Sequence, residues 1–227
     1  MGGLFSGESG IGKFLHKTGV LVILSVIWFF TSLPIITLGA STTALYYTIV
    51  KCLRMDRGYM LKEYFKSWKQ NFIKATIITV ILAAILLLAW SYSSSLGLTI
   101  QDVTLNGIKS RYADNTENFM GLYITVSAAI LFIGVIFCYI FPLLSRFDLN
   151  VFRLFATSFV FAIRYIPYSL TMLVFLVLAG ILVLKMPMFI MFAPGLWCLI
   201  ISFIVEKPIK KITPEPSPEE DAWWMRL

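Results

Sequence analysis

The chain has 227 residues, of which 59% are apolar and only 14% charged, with a mean hydropathy of +0.84. Soluble domains carry about 45–50% apolar and about 25% charged residues, and a soluble fold of this size has too much surface to hide such an excess. The net charge of +7 is not that of a nucleic-acid binder, because the basic residues fall between five charge-free stretches: 18–50, 75–101, 118–145, 165–184 and 186–205. Stretches of this kind belong in lipid, and the composition predicts an all-α, polytopic membrane bundle.

In chain order, residues 1–14 read as a flexible leader. Within it, Gly7-Glu8-Ser9-Gly10-Ile11-Gly12-Lys13-Phe14 imitates a phosphate-binding loop. Phe14, however, stands where a magnesium-holding hydroxyl is needed, and no strand has room to precede it. The opening Met1-Gly2-Gly3-Leu4-Phe5-Ser6 fits a myristoylation pattern that short sequences match by chance. His16, the sole histidine, has no second histidine as relay or co-ligand and reads as an interfacial surface residue.

The first apolar run is too long for one span and short for two. Pro34 removes a backbone donor and Gly39 weakens helix continuity, which predicts a break, with a span over 15–33 and a second helix over 40–54. Thr37 and Ser41 are the residue types that cap such a helix. Gly39, Ala40 and Ser41, followed by Thr42, Thr43 and Ala44, are small enough for helices to approach closely in a membrane.

Segment 51–74 carries seven basic residues against two acids and is expected on the cytoplasmic side. Within it, 59–72 has Leu61, Phe65, Trp68 and Phe72 on one helical face and Lys62, Lys66 and Lys69 on another. That pattern suits a helix lying on the anionic inner leaflet. A span over 72–98, an outer loop over 99–119 and a span over 120–144 follow. Segment 145–164 returns to the cytoplasmic side with a second surface helix, 148–164. Spans over 166–184 and 186–205 then lead to a Pro- and acid-rich tail, 207–227, expected to be disordered and cytoplasmic. Lys13 and Lys17 favour an inside N-terminus and therefore six membrane segments. The alternative is five segments with 40–54 re-entrant or interfacial. The succession of span, surface helix and span in both halves hints at an internal repeat.

No candidate chemistry emerges from the residues. Cys52, Cys138 and Cys198 are dispersed, with no metal-ligand spacing. No acid lies inside an expected span, and no nucleophile–base pair is visible. Catalytic residues, metal ligands and cofactors are therefore expected to be absent.

Two stretches carry a family resemblance. Ser32-Leu33-Pro34-Ile35-Ile36-Thr37-Leu38-Gly39-Ala40-Ser41-Thr42-Thr43-Ala44-Leu45-Tyr46-Tyr47 resembles the hallmark of the YesL-like bacterial membrane proteins. Gly58-Tyr59, with Phe65-Lys66-Ser67-Trp68-Lys69-Gln70-Asn71-Phe72, resembles that family's second signature. The resemblance implies a bacterial cytoplasmic-membrane protein encoded near carbohydrate uptake systems and sensor kinases, with no established activity. The expectation is a non-enzymatic accessory component linked to carbohydrate uptake or its sensing, with a transporter or sensor kinase as partner. A small transporter or channel built on the broken first hairpin is the competing expectation.

Overall fold

The computed structural model describes residues 10–106, 116–186, 188–189 and 192–210, and among these every regular element is helical. Helix α1 (Gly10–Thr31) ends before Pro34, and a 3₁₀ turn over Ile35–Thr37 leads into α2 (Leu38–Thr48), which continues as a π-helical turn over Ile49–Arg54. The expected break thus falls at Pro34, for the reason Pro breaks helices: it has no N–H to donate. Thr37 occupies the N-cap position but does not cap. Its backbone is helical (φ −90°, ψ −3°) rather than extended, and its hydroxyl turns back toward Thr31 O (2.6 Å) and Pro34 O (2.7 Å). Asp56 (φ 52°) and Gly58 (φ 80°) then take left-handed conformations that reverse the chain into α3.

Helix α3 runs unbroken from Met60 to Asn106. The expected boundary at residue 72 between a surface helix and a span is not a break, because no Gly or Pro lies between Tyr59 and Leu96. Helices α4 (Thr116–Arg146), α5 (Val151–Arg164), α6 (Ile166–Lys185) and α7 (Ala193–Lys210) complete the chain. The amphipathic α5 is a separate helix where the second surface helix was expected. It turns Leu154, Ser158, Phe161 and Ala162 inward and leaves Phe152 exposed. The first half has no such separate helix, so the hinted repeat is not reproduced in the order of elements. The last span begins later than residue 186 and continues past 205, carrying Glu206, Lys207 and Pro208 inside α7. Residues 10–14 of the expected flexible leader and 207–210 of the expected disordered tail are helical, belonging to α1 and α7, and the rest of both segments lies outside the described residues.

Helix α2 is the central element, packed against α1, α3, α4 and α7. Its small residues permit this. A methyl group on Gly39 would run into Thr79 Oγ1, reach within 2.8 Å of the Phe141 ring and come within 2.9 Å of the Ala75 carbonyl. Gly195 plays the same part between α7 and α1, against Ser25 and Leu21. Around this axis Leu24, Leu45, Tyr64, Ile78, Tyr139, Phe141 and Met172 are fully buried.

The outside of the bundle is as apolar as the inside. Leu87, Leu88, Trp90 and Leu184 are 69%, 73%, 69% and 84% exposed. Four helical stretches are long and apolar enough to cross a membrane: Gly12–Thr31, Met60–Ser95, Met120–Arg146 and Ile166–Lys185. Apolar side chains covering such helices require hydrocarbon as their solvent, and the protein is membrane-embedded.

Candidate functional site

Ion pairs join basic segments far apart in sequence, Lys17 with Asp56 (3.1 Å), Lys74 with Asp148 and Arg146 with Glu206 (2.6 Å), and a fourth, Lys51 with Glu63 (2.9 Å), lies within segment 51–74. The Arg146–Glu206 pair differs in kind. The Lys74–Asp148 pair is wet, with Asp148 93% exposed, whereas the Arg146 and Glu206 side chains are only 6% and 5% exposed.

Three helices build this buried centre. Helix α4 ends with Arg146, α7 supplies Glu206, and α2 supplies Tyr46, whose hydroxyl donates to Glu206 Oε1 at 2.8 Å. One carboxylate therefore forms an ion pair with a guanidinium through one oxygen and accepts a hydrogen bond from a phenol through the other. A charge-assisted bond in a low-dielectric interior is strong, and a partnerless charge there is costly, so the three helices are locked in one register. Arg54, at the end of the π turn, reaches the same region. Its Nη1 donates to the Ser202 carbonyl (2.8 Å), and its guanidinium lies over the Phe203 ring at 4.3 Å.

Sequence reasoning missed Glu206 because hydropathy closes a span at its first charge, and the acid then reads as the start of a tail. A signal was present: Glu206 is the only acid in α7, directly after twenty charge-free residues, with Ser202 one turn before it. The expected span closed at residue 205, one residue short of this acid, whereas α7 carries it buried into the bundle.

The residues singled out from sequence are distributed as follows. Pro34 and Thr37 form the turn between α1 and α2. Gly39, Ala40 and Ser41 are buried on α2, and the Tyr64 hydroxyl lies beside Ser41 while pairing with Thr31 Oγ1 at 2.7 Å. Trp28 Nε1 donates to Thr42 Oγ1 (3.2 Å), closing the hairpin. Lys62, Lys66 and Lys69 are exposed on α3. Of the aromatic stripe beside them, Leu61 and Phe65 face outward while Trp68 and Phe72 pack on the core. The inward face of this part of α3 is instead Tyr64 and Ser67, continuing to Ala75 and Ile78.

Two cavities flank the buried centre. One of about 300 Å³ is lined by Arg54, Phe203, Glu206, Lys207 and Lys210. The other, of about 440 Å³, is polar and lies against Gln70, Asn71, Ser145, Arg146 and Asp148. A third, apolar space of about 500 Å³ opens between α1, α2, α4, α6 and α7, beside Trp28, Thr42, Phe137 and Trp197. Among the described residues, no three His, Cys, Asp or Glu side chains are grouped to hold a metal ion.

Residues 21–92 match a family described as "Protein of unknown function, DUF624". The match takes in the second half of α1, the Pro34 turn, α2 and α3 as far as Tyr92. It includes Tyr46 and Arg54 of the buried centre but not Arg146 or Glu206. No curated protein and no solved structure matches the chain.

Proposed function

We propose that this protein is a non-enzymatic accessory component of a bacterial cytoplasmic membrane, acting by contact with a carbohydrate transporter or a sensor kinase. The observation that carries the reading is that the buried acid, and the hydroxyls that join α1 to α3, are engaged within the bundle, although the buried Ser41, Thr76 and Ser158 hydroxyls and Trp68 Nε1 have no hydrogen-bond partner among the described residues. Glu206 is engaged by Arg146 and Tyr46, and the Tyr64 and Thr31 hydroxyls are engaged with each other. Such groups hold helices together rather than attack or transfer anything. The carbohydrate link and the bacterial setting rest on the likeness of 32–47 and 58–72 to the YesL-like proteins. The DUF624 match adds a family without an assigned function.

The same proposal includes six membrane segments with both ends cytoplasmic. Leu38–Arg54 comprises 17 residues, which at 1.5 Å each span about 25 Å, close to a thin hydrocarbon layer. The basic clusters that pair at one end of the bundle support this topology. A transporter is the competing reading, and the fully buried Leu45, Tyr139 and Phe141 beside α2 count against an open path through the described bundle.

Purification from native membranes in a mild detergent tests the accessory role. Stoichiometric recovery of a transporter or kinase is expected. Repeated recovery of the folded chain alone would contradict it, and solute flux in liposomes containing the chain alone would favour the competing reading.

A further inference from the structure

We propose that the cavity between Arg54 and the last turn of α7 is a phosphate-binding site. Its occupant would be the phosphate of an anionic lipid headgroup or of a free phosphate compound. Three cations line this space of about 300 Å³: Arg54, Lys207 and Lys210. Its single acid, Glu206, is already neutralised by Arg146 and accepts from Tyr46. The lining is therefore positive, although it contains a carboxylate.

Arg54 makes the site more than a surface patch of lysines. It is half-buried and pre-positioned, with Nη1 on the Ser202 carbonyl and Cζ 4.3 Å from the centre of the Phe203 ring. Among the described residues it forms no ion pair. A guanidinium held at these two points offers its remaining N–H groups as a fork that matches phosphate oxygens, while Lys207 and Lys210 act as point charges alongside. Lys207 and Lys210 are exposed and likewise unpaired among the described residues. Phe203, 54% exposed, continues the lining onto the apolar flank of α7, where a glycerol backbone and acyl chain would lie.

The full-length protein is reconstituted in vesicles of phosphatidylcholine with phosphatidylglycerol, released into neutral detergent, and weighed with its retained lipid by native mass spectrometry. Wild type is expected to retain one phosphatidylglycerol. The Lys207→Gln/Lys210→Gln double variant, altered only at exposed positions, should bind about thirtyfold more weakly, the factor for two lysines near a headgroup. A Lys62→Gln/Lys66→Gln/Lys69→Gln variant serves as the control for general surface attraction and should retain lipid like wild type. In a second arm, inorganic phosphate is titrated against wild type in phosphatidylcholine and detergent alone, with thermal unfolding as the readout. Stabilisation by phosphate without lipid retention would assign the site to a free phosphate compound. Equal behaviour of wild type and double variant in both arms, or equal loss in the surface control, would overturn the proposal. Unchanged thermal midpoints without ligand show that the variants are folded, and Arg54→Gln provides an independent second test. None of these readouts depends on a protein partner.

Discussion

Replacing Glu206 by Gln is the most informative single change. The side chain keeps its volume and an oxygen that still accepts from Tyr46, so packing is conserved and only the charge is removed. What changes is the setting of Arg146, 6% exposed, which loses the Glu206 charge while Arg54 stays within electrostatic range. Breaking a buried ion pair from one side costs about 3–5 kcal/mol, most of it the penalty of the stranded charge. For a chain of this length that corresponds to a fall in unfolding midpoint on the order of 10 °C. Loss of helical signal on heating the purified protein in a mild detergent measures it. Adding Arg146→Gln removes the stranded charge, and the double variant should recover more than half of the loss, a coupling that a double-mutant cycle isolates. If Glu206→Gln stays within about 0.5 kcal/mol of wild type, or the double variant is no better than the single, the pair does not tie α4 to α7.

Gly39→Ala should destabilise by about 1–3 kcal/mol or more, since the new methyl meets the Phe141 ring at 2.8 Å and a backbone carbonyl at 2.9 Å. Gly180→Ala on α6, where nothing lies within 4 Å, should be neutral or stabilising by up to about 1 kcal/mol, and the two are compared in one thermal series. Tyr64→Phe removes the bond between the two hydroxyls, while Thr31 Oγ1 keeps the Ile27 and Trp28 carbonyls, and should cost about 1 kcal/mol in the same assay. Asp148→Asn breaks a pair whose acid is 93% exposed and should shift stability by less than about 0.5 kcal/mol, in contrast to Glu206.

The helical class was legible because spans of hydrocarbon length exclude charge, and the break at Pro34 because a missing N–H is a local fact. The close approach at Gly39 was legible for the same reason: small residues in sequence are small residues in space. The continuity of α3 was obscured because charge and aromatic patterning change at residue 72 while helix propensity does not. The buried centre was the least legible. Nothing near Glu206 tells that Arg146 and Tyr46 stand opposite it, since that pairing depends on how α2, α4 and α7 pack. Pro208 and Lys207 beside it read as the end of a helix that in fact continues to Lys210.

Single-cysteine reporters read with a membrane-impermeant thiol reagent test membrane embedding and its orientation together. In a background without Cys52, Cys138 and Cys198, Asp114→Cys should label in intact cells, and Tyr59→Cys only after permeabilisation. Gly3→Cys should behave like Tyr59→Cys if Leu38–Arg54 crosses the bilayer, and like Asp114→Cys if it re-enters. Equal labelling of Tyr59→Cys and Asp114→Cys in intact cells, or recovery of the chain in the soluble fraction, would contradict a membrane bundle whose basic end faces the cytoplasm.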